Sequence, residues 1–318
     1  MINKKTLAKI IAIDNGKMNM KITDGNVELC YLNKYSKKLT DDENLLGKDT
    51  YNVTYKGSNY TIGVNGKSSD RNEGKASDIH IVQALTAITR FIEPDCKEDI
   101  YIMYGESVDM YFNNKHKIEI KTKLEGKHTI YVNGVAYNFN IEYVQVLPEG
   151  IGHILQDMEK YNEIQYVVDI GGGTINFLKV KNGRPEPDSC RSFLLGVNNI
   201  ISEVQTELKR TGYGTYDEDL IRQYLTTREC PNASVLKKMD ELVIEQLEKL
   251  DDTLSVRDIN IHNILKVQPV MFIGGGSELF KEHINKYYRS EVIDNLVVEN
   301  ALMANARGFY EYGIAKFV

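Results

Sequence analysis

Short runs of alternating apolar and polar residues fill the first part of the chain and predict β-strands joined by tight turns. An apolar strand over residues 9–13 is followed, after an Asn15-Gly16 turn, by the alternating run MNMKIT. Further alternating runs follow Asp24-Gly25 and surround Gly57. Because Asn-Gly and Asp-Gly are strong hairpin signals, the pattern predicts a meander of hairpins over about the first 65 residues.

The pattern changes to a helical period near residue 78. A helix is predicted from Asp78 to about Ile92, with Ser77 as its N-cap and Pro94 as its stop. The runs DIYIMYG, KIEIKTKL and HTIYVNGVAYNFN predict three more strands, the last two facing each other across Glu125-Gly126. A second helix is predicted over IGHILQDMEKY. It leads into an apolar strand, a triple glycine and an alternating strand in YVVDIGGGTINFLKVKNG.

Helical periodicity dominates the second half of the chain. NNIISEVQTELKR and YDEDLIRQYLT predict two helices, and Asn232 is expected to cap a third that extends to about Leu250. VQPVMFIGGGSELFKEHINKYY predicts a buried strand, a glycine cluster and a helix, and NALMANARGFYEYGIAKF predicts a final helix. The mixture of strands and helices indicates an α/β protein.

One internal repeat relates the two halves. KIIAIDNGKMNMKI and QYVVDIGGGTINFLKV share an apolar strand, an Asp, a glycine-containing turn, an Asn and an alternating strand with a Lys. The chain has 318 residues, a length that fits two domains. The duplication predicts two similar lobes that face one another across a cleft.

Composition and charge exclude several classes of protein. The formal net charge is −6, which disfavours direct binding to nucleic acid or to an anionic membrane. The four cysteines form no CxxC pair, so neither a zinc site nor a disulfide framework is indicated, and a reducing cytoplasm is the expected compartment. The apolar run at residues 10–13 is too short for a signal sequence, and no run approaches the length of a membrane span.

The triple glycine of the second repeat is a candidate phosphate site. Since a strand follows it, the motif fits neither a P-loop nor a dinucleotide fingerprint, and the glycines are expected at a hairpin tip. Gly171, Gly172 and Gly173 there permit positive φ and let backbone amides, with Thr174, approach a phosphate oxygen. Asp169 would hold Mg²⁺ through water. The alternative is an ordinary glycine-rich hairpin.

The first repeat is the candidate opposite jaw of the site. Gly16 and the backbone after it would surround the terminal phosphates, with Lys17 as a phosphate contact and Asp14 as a second carboxylate near the metal. Asn15 and Asn19 complete this motif. Taken alone, the same residues are typical of a simple hairpin with an Asp cap.

A third glycine cluster ends a predicted buried strand and opens a helix. Gly274, Gly275, Gly276 and Ser277 are small enough for a flat base or ribose to lie on their backbone. A role for the glycines in packing explains the pattern equally well.

The order of these three motifs resembles the phosphate 1, phosphate 2 and adenosine motifs of the actin, heat-shock chaperone and sugar kinase superfamily. Pro148-Glu149-Gly-Ile-Gly and residues 301–308 are similar to its two connecting helices. In length and first motif the chain is similar to bacterial actin-like plasmid segregation proteins of the ParM/StbA type. The resemblance implies a two-lobed actin-like (ribonuclease H-like) ATPase fold with a nucleotide cleft between the lobes. The implied division is domain I at 1–161 with a small β-rich subdomain at about 31–75, domain II at 162–298, and a C-terminal helix at 299–318 that packs on domain I.

The same resemblance implies a function. The expected protein is a cytoplasmic Mg²⁺-dependent ATPase, with GTP as an alternative nucleotide, that polymerises into a filament and segregates plasmid DNA. Glu149 would orient the attacking water and Asp169 would support catalysis, although a carboxylate at a helix N-terminus can also simply complement the helix dipole. The acidic net charge points to a basic DNA-binding adaptor as partner, besides the chain itself. Two alternatives stay open: a small-molecule kinase of the superfamily, and a nucleotide-gated chaperone-like or cell-division scaffold.

Overall fold

The computed structural model describes residues 8–41, 46, 49–63, 66–67, 74–161, 163–289 and 295–318. The chain divides into two compact units. Unit 1 comprises Met1–Met158 and Asn305–Val318, and unit 2 comprises Glu159–Ala304. The start of the expected domain II, Asn162, and parts of the expected 31–75 subdomain lie outside the described residues. The domain boundaries expected from the sequence stay a prediction.

The described strands of unit 1 form one mixed sheet. They are β1 (Lys9–Asn15), β2 (Asn19–Thr23), β3 (Glu28–Leu32), β4 (Lys34–Ser36), β5 (Tyr51–Tyr55), β6 (Ser58–Gly63), β7 (Asp99–Glu106), β8 (Gly126–Val132) and β9 (Val135–Pro148). Their order is β3-β2-β1-β7-β9-β8-β5-β6-β4. The hairpins predicted at Asn15-Gly16, Asp24-Gly25 and Gly57 are confirmed by the antiparallel pairs β1–β2, β2–β3 and β5–β6. Because β1, β7 and β9 are parallel, their carboxyl ends meet at one edge of the sheet.

Besides α11, introduced below, four helices accompany this sheet among the described residues. They are α1 (Asp78–Ile88), α2 (Val108–Tyr111), α3 (Asn114–Leu124) and α4 (Gly152–Leu155). Ser77 is the N-cap residue of α1, as predicted, but its side chain makes no cap hydrogen bond. The long helix predicted over IGHILQDMEKY is wrong, since only the single turn α4 forms there.

The strand predicted at KIEIKTKL is also wrong, because this segment lies in helix α3. The alternation of isoleucine and lysine imitates a strand, but the buried residues are His116, Ile120 and Leu124, which are four positions apart and share one helical face. Ile118, which a strand would have buried, is 63% exposed. The actual hairpin joins β8 to β9 at Asn133-Gly134, where both residues have positive φ, as a type I′ turn requires.

Unit 2 contains a second, smaller sheet. Its strands are β10 (Ile164–Ile170), β11 (Ile175–Lys181), β12 (Arg184–Pro185), β13 (Arg191–Phe193) and β14 (Val270–Ile273). β11 pairs with β10, β12 and β13, and β14 lies parallel to β10. The strand–glycine turn–strand predicted around the triple glycine is confirmed by the β10–β11 hairpin.

Helices cover this second sheet, and all but α8 lie in segments for which the sequence predicts a helix. They are α5 (Val197–Arg210), α6 (Glu218–Thr227), α7 (Ala233–Ser255), α8 (Ile261–Leu265), α9 (Gly275–Leu279) and α10 (Lys281–Tyr288). The side chain of Asn232 caps α7 by accepting from the amide of Ser234, as predicted. Helices α5 and α7 contribute to the core of unit 2 through Ile201, Val204 and Leu247, which are fully buried.

The chain returns to unit 1 through a 3₁₀ turn at Ala301–Met303 and helix α11 (Ala304–Phe317). This helix packs backbone to backbone on the start of α4: a Cβ atom at Gly308 would lie 1.8 Å from the carbonyl oxygen of Gly152. The Asn305 side chain accepts from the amides of Gly150 and Gly152 at 3.0 and 3.3 Å. Within the described ranges, no helix combines the length and apolar character needed to cross a lipid bilayer.

Candidate functional site

Three neighbouring parallel strands of unit 1 each lead to a buried acidic residue. Asp14 lies near the end of β1, Glu106 ends β7, and Glu149 follows β9. Their exposed fractions are 2%, 1% and 8%. Since buried carboxylates are stable only when they are paired or hydrogen-bonded, this edge of the sheet requires nearby cations.

Lys75, just before α1, supplies one of these cations. Its ammonium group forms an ion pair with Glu149, donates to the carbonyl of Gly105 at 3.0 Å, and lies 3.7 Å from Asp14 Oδ1. Burial alone would lower the pKa of Lys75, but the charges of Glu149 and Asp14 raise it above its ordinary value. Sequence reasoning missed this residue, because a lone lysine ahead of a helix carries no local signal.

Lys21, on β2, supplies a second cation. Its Nζ atom donates to Asp14 Oδ2 at 2.5 Å. Burial would raise the pKa of Asp14, but Lys21 and Lys75 outweigh burial, so this pKa lies below its usual range. Both carboxylate oxygens of Asp14 therefore face an ammonium group.

The turn after Asp14 is held by side-chain hydrogen bonds. Asn15 is fully buried and donates to the carbonyl of His80 and to the hydroxyl of Tyr104, both at 2.9 Å. Gly16 is required by space, because a Cβ atom there would lie 2.7 Å from the carbonyl oxygen of Asn19. Asn15, predicted as part of the nucleotide motif, thus anchors the turn to α1 and β7.

The half-buried Lys17 occupies the same turn. Burial, followed by the charges of Lys75 and Lys17, lowers the pKa of His80 to about 3. His80 is therefore neutral near pH 7, and its Nδ1 atom is paired with the hydroxyl of Ser77 at 2.9 Å. The positive charge of Lys17 near this turn is consistent with the phosphate contact predicted for it.

In unit 2, the Gly171–Thr174 hairpin turns its carbonyl groups toward α5. The amide of Gly171 donates to the carbonyl of Thr174 at 2.9 Å and closes the turn. The carbonyls of Gly171 and Gly172 accept from the amides of Val197 and Asn198 at 3.0 and 2.9 Å, and so cap the N-terminus of α5. Among the backbone bonds of the described residues, the amides of Gly172 and Gly173 donate to none. Adjacent amides without side chains in the way can bind an anion.

The positive φ expected at this hairpin tip is wrong. Gly171, Gly172 and Gly173 do not belong to the described residues with positive φ. Glycine is required by space at the residue that faces the hairpin. This residue is Gly196, the N-cap of α5, where a Cβ atom would lie 2.7 Å from the carbonyl oxygen of Gly172. Sequence reasoning missed Gly196, whose only signal is a single glycine ahead of an amphipathic helix.

The third glycine cluster lies beside the second, because β14 runs parallel to β10 and pairs Ile273 with Asp169. Gly274 has φ +90°, and a Cβ atom there would lie 2.3 Å from Asp169 Oδ1. A Cβ atom at Gly276 would lie 2.4 Å from the Ile170 side chain. Packing thus explains both glycines, the interpretation that the sequence left open.

The rest of this cluster is partly buried. Ser277 is fully buried, and its hydroxyl donates to the carbonyl of Ile273 at 2.5 Å. Gly275 is half-buried, with the position of a Cβ atom 3.0 Å from the Leu302 side chain. The side chain of Ser277 is therefore committed to α9, while the backbone of Gly275 stays the part of the cluster nearest to solvent.

The acidic residues fit a hydrated metal ion better than a directly bound one. The described residues contain no group of three His, Cys, Asp or Glu side chains that could hold a metal. Asp14 is occupied by two lysines, and Asp169, 4% exposed, belongs to the other unit. Mg²⁺ keeps several waters and is commonly held by one or two carboxylates plus substrate phosphates, so each carboxylate taken by itself is compatible with water-mediated contact.

These features define a two-domain α/β protein of the actin-like fold, in which each unit presents an Asp-containing hairpin beside parallel strands. A family model described as "Actin like proteins N terminal domain" matches residues 12–152. A second, "Archaeal actin homologue MreB-like, C-terminal", matches residues 167–286. The two matches together span most of the chain, which belongs to the actin-like protein superfamily.

Solved structures show the same fold over nearly the full length. The archaeal actin homolog Ta0583 matches with a TM-score of 0.76 and 16% identity, covering 96% of this chain and 99% of that one. It has also been solved in complex with ADP, with a TM-score of 0.70. A 15-stranded ParM filament from Clostridium botulinum matches at 0.69 with 17% identity, covering 98% and 100%. The Alp12 filament structure matches at 0.67 with 21% identity, covering 97% and 99%. No curated protein sequence matches the chain significantly.

Proposed function

We propose that the chain is an actin-like ATPase that assembles with nucleotide into a cytoplasmic filament for plasmid DNA segregation. The observation that carries the nucleotide part is the Gly171–Thr174 hairpin, whose carbonyls cap α5 while two adjacent amides stay available for an anion. Asp169 is the penultimate residue of β10, the strand before this hairpin, and the carboxylates of unit 1 that pair with lysines belong to the second motif. The ADP complex of Ta0583 supports a nucleotide as the ligand.

Each buried group has a part in the proposed hydrolysis. Glu149 accepts a hydrogen bond from the attacking water and so orients it. Positioning the reacting groups is a main task of the protein in phosphoryl transfer. Lys75 pairs with the Glu149 carboxylate and holds it in place. The amides of Gly172 and Gly173 bind phosphate oxygens, and Lys17 contributes a positive charge. Asp14 and Asp169 are the residues that would hold Mg²⁺ through water, and the ion would supply positive charge that neutralises phosphate.

Assembly and cargo rest on similarity and charge. Two of the similar structures are filaments. A repeated head-to-tail contact that does not close into a ring grows as a filament, and a nucleotide that binds one conformation better shifts that equilibrium. Because the net charge is −6, DNA would be reached through a basic adaptor protein rather than by direct contact.

The Asp169→Ala substitution tests the nucleotide site. We expect loss of hydrolysis and of Mg²⁺-dependent affinity for a fluorescent ATP analogue, because phosphate and metal lose their carboxylate partner. Asp219→Ala, which removes an exposed carboxylate of α6 in the same unit, is the control and should behave like the wild type. Unchanged Mg²⁺-dependent binding and turnover in Asp169→Ala would remove Asp169 from the site.

Sedimentation tests assembly. The wild type should pellet above a critical concentration with Mg-ATP, and Asp169→Ala should stay in the supernatant. A monomer at high concentration, with ATP or a non-hydrolysable analogue present, would refute the filament and favour a small-molecule kinase.

A further inference from the structure

A single residue joins the two edges of the nine-stranded sheet of unit 1. Strand β3 ends at Leu32 and β4 begins at Lys34, yet β3 and β4 are the outermost strands on opposite sides of the sheet. The sheet must therefore curl until its edges approach at Asn33. Leu32 pairs with Asn19, the last residue of the Asp14–Asn19 turn, so this junction lies directly beside that turn.

From this junction, the Asn33 side chain forms hydrogen bonds with the turn. Its Nδ2 atom donates to Asn15 Oδ1 at 2.7 Å and to the carbonyl oxygen of Gly16 at 2.8 Å. Its backbone amide donates to the carbonyl of Met18 at 2.7 Å. Three bonds from one residue thus reach both sides of the turn, and Asn33 is fully buried.

Helix α1 holds the same residue from the other side. Gln83, also fully buried, donates from Nε2 to the carbonyl of Asn33 at 2.8 Å. Within the described residues, Asn33 Oδ1 and Gln83 Oε1 have no hydrogen-bond partner. A buried acceptor left unpaired is unfavourable, so these amides are not explained by stability alone. Their donors, in contrast, are all directed at the turn or the junction.

We propose that Asn33 is a positioning residue that couples the Asp14–Asn19 turn to the strands β4 and β6. A shift of the turn on nucleotide binding would move Asn33 through its three bonds, and Asn33 would carry β4 with it, because no other residue separates the junction from that strand. β4 pairs with β6 through Lys34 and Gly63, so both strands would respond. This inference rests on the proposed function, in which the turn binds phosphate.

Hydrogen–deuterium exchange of the wild type gives the first test. With saturating Mg-ATP, amides of the turn (residues 16–19) and of β4 and β6 should slow together, by about threefold or more, because coupled segments open as one unit. Protection of the turn and of the Gly171–Thr174 hairpin without any change in β4 and β6 would overturn this inference and leave the proposed function standing. Absence of protection at both phosphate motifs would overturn the two together.

The Asn33→Ser variant gives the second test. Serine is too short to hydrogen-bond to Asn15 and Gly16 together, so we expect ATP to bind about tenfold more weakly. At saturating ATP, we expect the turn to be protected from exchange while β4 and β6 are not. Asn138→Ser is the matched control, because the Asn138 side chain makes two hydrogen bonds, with Thr129 and Asp95, that reach neither the turn nor β4 or β6. Wild-type protection of β4 and β6 in Asn33→Ser would refute the coupling. Weaker ATP binding in Asn33→Ser with the turn, β4 and β6 still protected together at saturation would likewise overturn it and leave Asn33 a purely structural role.

Discussion

Replacing Lys75 by Met removes one charge from a site where its partners are nearly inaccessible to water. The side chains of Lys75 and Glu149 are 7% and 11% exposed. Met fills most of the volume of the lysine stem, so the main effect is electrostatic. Asp14 keeps Lys21 as a partner, whereas Glu149 loses the cation that the structure pairs with it. Breaking a buried ion pair by removing one partner destabilises a protein by about 3–5 kcal/mol.

The effect should depend on pH in a defined direction. Lys75 has a raised pKa, so its stabilisation is present below its unfolded pKa and is lost only as pH rises through the folded value. Asp14 has a lowered pKa, so its stabilisation is present above its unfolded pKa and is lost only as pH falls through the folded value. In the wild type, the stabilisation contributed by the charges of Lys75 and Asp14 is therefore constant from about pH 5.5 to pH 8. In Lys75→Met, burial raises the pKa of Glu149, and protonation at the lower pH relieves part of the loss.

Thermal unfolding at pH 5.5 and pH 8 measures this difference. Unit 1 has about 170 residues, for which 1 kcal/mol corresponds to about 2–4 °C, so we expect a fall in Tm on the order of 10 °C at pH 8 and less at pH 5.5. The double variant Lys75→Met/Glu149→Gln should recover part of the loss, because the buried side chain at position 149 is then neutral. Lys123→Met removes a partly exposed pair with Asp78 and should cost about 1 kcal/mol or less. A Lys75→Met protein within about 2 °C of the wild type, or one equally affected at both pH values, would refute the reasoning.

Two further predictions concern catalysis and the glycine hairpin. Glu149→Gln should bind ATP within about threefold of the wild type while steady-state turnover falls about a hundredfold, the scale of losing a positioned acid–base group; wild-type turnover would return Glu149 to a structural role. Gly196→Ala should lower the stability of unit 2 by about 1–3 kcal/mol and weaken ATP binding, because the new Cβ atom displaces the carbonyl of Gly172 that caps α5; chemical denaturation and nucleotide titration measure the two effects, and a variant unchanged in both would contradict the close-packing argument.

Local chemistry predicted the parts of the fold in which neighbours in sequence are neighbours in space. The Asn15-Gly16 and Asp24-Gly25 turns, the β10–β11 hairpin and the Asn232 cap each depend on contacts within a few residues. The order of the three glycine motifs was also sufficient to predict the actin-like fold. Where two periods compete over a short segment, as in α3, the sequence alone favours the wrong one, because only the tertiary core decides which isoleucine is buried.

The candidate site was predicted less completely, because its cations and amides come from distant parts of the chain. Lys75 is 74 positions from Glu149, and Asn33 is 18 positions from Asn15. Neither residue belongs to a motif, so no spacing rule marks it. A buried carboxylate must be paired or hydrogen-bonded, and that requirement predicts that a partner exists without saying which residue provides it.

The repeat predicted two equivalent jaws, yet the two units solve the same structural problem with different chemistry. In unit 1 the turn is fixed by the buried amides of Asn15 and Asn33, and its Asp14 is already neutralised by lysines. In unit 2 the hairpin is fixed by its own carbonyls, which cap α5 and leave amides available. Unit 1 therefore has cations and the Glu149 carboxylate to contribute, and unit 2 has neutral donors for phosphate oxygens. If Glu149 orients water as proposed, its substitution should affect mainly turnover, whereas substitutions that disturb the turn of unit 1 or the glycine hairpin of unit 2 should affect mainly affinity for nucleotide.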